Sequence, residues 1–173
     1  KAADIPDKAL LTELRERLLE PPTCLPECAE ISRMQVEANA NNLVLRLKAN
    51  IISPVAIPIP STQDKWVPRT VFVDNEVAKN LQSDTNSQLW LHLPQGVHDI
   101  VMEGAIGDQD KFEVGISLRP KEVTQTLSGW TIEGINHQKL QGNHLYFNRI
   151  KEAKDDAKTT TTTKGLQAGR IPP

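Results

Sequence analysis

Cys24 and Cys28, with His92, His98, His137 and His144, are the side chains of this 173-residue chain best suited to holding a metal ion. A zinc site needs three or four ligands converging from set spacings, and no HxH, HxxxH or His-Cys pattern occurs. His92 and His98 flank one bend, with Asp99 beside the second, but no ligand spacing supports them. The expectation is four separate surface or turn histidines, each with a hydrogen bond, and no metal or other cofactor. CLPEC lacks the second cysteine pair that makes such spacing diagnostic for zinc, so a local Cys24–Cys28 disulfide in an oxidising compartment is the favoured reading.

Nucleophilic catalysis has no better footing. The chain has no GxSxG elbow, no recognisable Cys-His pairing and no glycine-rich phosphate loop. Asp74, Asp99, Glu103, Asp108, Asp110, Glu113 and Glu133 fall mostly at turns or on the polar side of alternating runs, where solvation accounts for them. A glycosidase pair is defined by separation in space and needs a walled pocket that nothing in the sequence predicts. No enzyme is expected. Trp66, Trp90 and Trp130, with Tyr146, raise a different chemistry, because a row of exposed aromatics on a sheet can stack sugar rings. Packing in the core is the commoner use of such rings. Carbohydrate binding or processing is therefore the alternative function, and it depends on two or more tryptophans lying side by side in an open groove.

The elements that must position these residues are short strands. Leu89, Leu91 and Leu93 alternate with Trp90 and His92, Pro94-Gln95-Gly96 supplies turn chemistry, and a second alternating run over 97–103 follows, which predicts a central hairpin. A second hairpin is expected from runs 34–38 and 43–49 around Asn39-Ala40-Asn41-Asn42. Residues 55–59, bracketed by prolines, suit an edge strand or an extended connection. Runs 70–73, 112–118, 123–127, 130–135 and 144–150 complete about ten short strands with turn signals between, and 77–81 is open between strand and helical turn. The predicted fold is mainly β, an antiparallel β-sandwich with one N-terminal amphipathic helix over 8–19, capped by Asp7. Leu10, Leu11, Leu14 and Leu18 form its apolar stripe, which is expected to pack on the β domain. Residues 1–22 are thus a packing helix, 23–150 the β domain with its cysteine loop, and 151–173 a polar, low-complexity linker or tail of what reads as a longer protein.

The formal charge is −2 and the basic residues are spread along the chain, which argues against nucleic acid as a partner. No apolar run approaches the ~20 residues that span a bilayer. Val71, Val73, Asp74 and Asn75, followed by Leu93, Pro94, Gly96 and His98, resemble the PEGA-type β-rich modules of bacterial surface proteins, with Asn75 where glycine is common. ELRERLLEPPTCLPECA ahead of a β module is similar to a segment of large proteobacterial cell-envelope proteins. These resemblances imply a periplasmic or extracytoplasmic structural or protein-interaction module. Its partners would be other domains of the parent protein or other envelope proteins, with glycan as the alternative ligand.

Overall fold

The computed structural model describes residues 7–19 and 27–151. Residues 1–6, Cys24 and the tail beyond Lys151 lie outside the described residues. One helix, α1 (Lys8–Leu19), precedes β1 (Ala29–Ala38), β2 (Asn42–Ile51), β3 (Val55–Pro58), β4 (Thr70–Val73), β5 (Glu76–Val77), β6 (Leu81–Ser83) and β7 (Leu89–Leu93). The chain continues through β8 (Gly96–Ala105), β9 (Lys111–Gly115), β10 (Val123–Leu127), β11 (Trp130–Glu133), β12 (Ile135–Asn136), β13 (Lys139–Leu140) and β14 (His144–Arg149). Over the described residues the protein is mainly β, with one helix and several sheets. Strands beyond the ten expected include β5, β12 and β13, each two residues long, which are too short for an alternating pattern to reveal.

The largest sheet has six strands in the order β10-β1-β2-β8-β4-β5, and two three-stranded sheets run β11-β14-β9 and β3-β7-β6. Alternation explains the first. Val36, Leu45 and Met102 lie opposite one another across β1, β2 and β8, and all three are fully buried. The β1–β2 turn is closed by Asn39, whose Oδ1 accepts hydrogen bonds from the backbone N–H groups of Asn41 (3.2 Å) and Asn42 (2.9 Å). β10 departs from the antiparallel expectation and runs parallel to β1, with Val123 opposite Met34. One apolar cluster draws on all three larger sheets: Leu45 and Met102, Ile57 and Leu91, Phe112 and Phe147.

The stretch expected to be the central hairpin is not one. β7 pairs with β3 and β6, whereas β8 pairs with β2 and β4, so the Pro94-Gln95-Gly96 bend passes the chain from one sheet to another. Gly96 takes φ 131°, a conformation that side-chain-bearing residues avoid, and this lets the bend turn a corner. The helix expectation also needs correction. α1 has the predicted bounds, but Leu10 (55% exposed), Leu11 (48%), Leu14 (53%) and Leu18 (77%) remain open to solvent, so its stripe is not covered. No helix among the described residues is long and apolar enough to cross a membrane.

Candidate functional site

The corner between β7 and β8 carries the one buried polar or charged side chain among the described residues, His98, which is 9% exposed. It shares the inward face of β8 with Ile100 and Met102. An imidazole there needs partners for both ring nitrogens, because an unpaired buried polar group is costly. His98 Nδ1 lies 2.7 Å from Asp74 Oδ2, and Nε2 lies 2.9 Å from the Pro94 carbonyl oxygen. Asp74 comes from the β4–β5 turn, where it and Asn75 both take positive φ, 50° and 68°. Its other oxygen accepts from the Asp99 backbone N–H at 2.9 Å, while its own N–H donates to the Asp99 carbonyl at 2.8 Å.

Neither a carboxylate nor a carbonyl oxygen can donate a proton, so this geometry satisfies both nitrogens of His98 when both act as donors, which favours the imidazolium form. The hydrogen bond that His98 makes to Asp74 is the main reason its pKa is raised, outweighing burial, which acts the other way. The Asp74 carboxyl is held below its ordinary range, first by the His98 hydrogen bond and then by the Asp99 amide. With His98 protonated, the contact is an ion pair that ties the β4–β5 turn to the sheet-crossing corner. With both nitrogens directed at oxygens of the protein, His98 offers no lone pair to a metal or to a substrate proton. The arrangement fastens the turn to the corner.

The loop that follows the opposite end of β8 is fastened by Arg149. Its guanidinium donates to the carbonyls of Ala40 (2.9 Å), Gly107 (3.0 Å) and Gln109 (3.1 Å) and lies 4.4 Å from the centre of the Trp130 ring. Trp130 Nε1 donates to the Asn39 carbonyl at 2.8 Å, and its ring meets Phe112 edge-on.

The tryptophans proposed as sugar-stacking residues are therefore placed otherwise. Trp130 and Trp66 are each 2% exposed, and Trp66 Nε1 donates to the Gly104 carbonyl at 3.2 Å. Buried on both faces, neither ring can present a surface to a ligand. Trp90 is half-buried in β7 and donates to Asp84 Oδ2 at 3.0 Å, which holds the Asp84 carboxyl below its ordinary range. The three do not form a row. Of the cysteine pair only Cys28 is described, just before β1, and it is not a free thiol. His92 and His137 are exposed, and His137 sits at positive φ between β12 and β13, so the four histidines are not brought together. Among the described residues no three metal-ligating side chains gather.

Sequence reasoning missed the burial of His98, although a signal was present: His98, Ile100 and Met102 are two apart and so share one face of a strand. The positions quoted for the PEGA-type resemblance also include both Asp74 and His98, which the fold brings into contact from 24 residues apart.

No family model and no curated protein matches the chain. Among solved structures it is similar to an M1 zinc metallopeptidase from Deinococcus radiodurans, with a TM-score of 0.38 at 8% identity over 72% of this chain and 40% of that one. A mutant of that enzyme bound to a Tyr-Ser-Ala substrate gives a TM-score of 0.40 at 8% identity over 70% of this chain and 38% of that one. The chain spans about two fifths of the length of these structures.

Proposed function

We propose that this chain is a non-enzymatic structural or protein-interaction module of a larger bacterial cell-envelope protein, working on the extracytoplasmic face of the membrane. Its body is read as a two-layer sandwich, with the six-stranded sheet as one layer and the two three-stranded sheets as the other, enclosing the shared apolar cluster. Such an interior exposes no reactive group, so the module acts through its surfaces. The PEGA-type resemblance and the proposed Cys24–Cys28 disulfide support the compartment.

The observation that carries this reading is the open leucine stripe of α1. A twelve-residue helix is marginal in water by itself, and four leucines on one side of it favour burial against another apolar surface. The surface assigned to it is a further domain of the parent protein. Limited trypsin digestion of the intact parent tests this at Lys8 and Arg15. In the parent, both sites are expected to resist cleavage relative to the isolated chain, and the double substitution Leu11→Asp/Leu14→Asp is expected to remove that protection. A parent protein cut at Arg15 as fast as the isolated chain would end the proposal.

A further inference from the structure

The outward face of the β11-β14-β9 sheet brings together groups scattered over more than thirty residues of sequence. Strand pairing places Tyr146 between Glu133 and Glu113, and in the next row Asn148 between Thr131 and Lys111. Tyr146 is 47% exposed, and its ring continues into that of His144, with centroids 6.0 Å apart and planes 28° from parallel. Opposite His144 on β9 stands Gly115, over which Ser61 and Thr62 close that end of the strip, with the Gly115 N–H donating to Thr62 Oγ1 at 2.7 Å. Lys65 lines the same open trough, whose volume is about 480 Å³. Among the described residues neither Glu113 nor Glu133 has an ion-pair partner, although two lysines stand on the same rim.

We infer that this face is a platform for a neutral saccharide chain laid along β14. A pyranose ring has an apolar C–H face and a rim of hydroxyls. Tyr146 and His144 supply a flat aromatic surface for the first. Glu113 and Glu133 accept hydroxyl hydrogens from either side, with Asn148 and Lys111 as donors at the next position, and hydrogen bonds to ionised groups are the stronger kind. Other ligands fit less well. Two carboxylates beside the ring repel phosphate, and the two lysines oppose a cationic side chain that might otherwise sit over it. A peptide would need a free strand edge to extend the ladder, whereas the trough lies on the middle of a sheet face. This inference does not rest on the docking of α1. It returns a carbohydrate reading to the protein, on residues other than the tryptophans.

The test is a ¹H–¹⁵N titration of the whole chain with two neutral tetrasaccharides, one of glucose and one of N-acetylglucosamine, and with tri-lysine as a cationic probe. We expect at least one tetrasaccharide to shift the amides of 113, 133 and 144–148, with a Kd on the order of 0.1–1 mM for so open a site. Tyr146→Ala should weaken binding about tenfold, and Tyr146→Phe, which keeps the ring, should stay within about twofold of wild type. Tyr146 is exposed, and the rest of each spectrum reports whether the variant folds. No response to either sugar, a response to tri-lysine alone, or binding that survives Tyr146→Ala would each overturn the inference.

Discussion

At the scale of single residues, His98 and Asp74 give the protein a pH-dependent fastening. His98 has a raised pKa in the fold, so its stabilisation is complete below the ordinary imidazole value of roughly 6.5 and fades as pH rises through the raised value. Asp74 has a lowered pKa, so its stabilisation is complete above roughly pH 4 and fades as pH falls through the lowered value. Together they contribute most between roughly pH 4 and 6.5. Because the Asp74 side chain is 50% exposed, solvent screens the pair, and an effect of about 1 kcal/mol or less is expected. Urea midpoints measured from pH 6 to 9 should fall in wild type. Asp74→Asn, which still tolerates the left-handed turn position, should remove that slope. A wild-type profile as flat as that of the variant would show that the pair is neutral in the fold.

At the scale of elements, β8 organises the molecule, though not as the second arm of a hairpin. It pairs along its whole length with β2, takes β4 on its other side, and is pinned at one end by His98. Near its other end, the buried Trp66 reaches over Gly104. A Cβ at that glycine would lie 2.8 Å from the Val67 carbonyl oxygen and 2.9 Å from Trp66 Nε1. Those neighbours are a backbone atom and a buried ring, so neither can yield easily. Gly104→Ala should therefore destabilise the fold by about 1–3 kcal/mol. Gly142→Ala, where nothing lies within 4 Å, should change it by no more than about 0.5 kcal/mol. Thermal unfolding of the two variants makes the comparison, and equal melting temperatures would mean that the Trp66 loop adjusts freely.

At the scale of the whole molecule, leucines of the same type serve two purposes. Leu45 lies in the buried row at the centre of the six-stranded sheet, while Leu14 is exposed on α1. In the isolated chain, Leu45→Ala should cost about 2–5 kcal/mol, and Leu14→Ala about 0.5 kcal/mol or less. Urea unfolding measures both, and a large loss from Leu14→Ala would mean that α1 already packs on the β body. The contrast separates residues that make the fold from residues held for a partner.

Local structure was legible wherever a single element decides it. The bounds of α1, the alternation in β2 and β8, the Asn39 turn and the turn at Asp74-Asn75 all follow from side-chain spacing and backbone preference, which act over a few residues. Partner choice was not legible. The leucines of β7 and the apolar residues of β8 alternate in the same way whether the two strands pair with each other or join different sheets, since in both cases one face of each is buried. Backbone hydrogen bonds are alike at every position, so only the competition of β3 and β6 for β7, and of β2 and β4 for β8, decides the pairing. The same long-range choice buried two of the three tryptophans, enclosed His98 against Asp74, and set Tyr146 between glutamates from strands on either side. Spacing along the chain determined which face each residue occupies; tertiary structure alone decided what that face would meet, because contacts between distant segments depend on the whole set of strands that compete to form them.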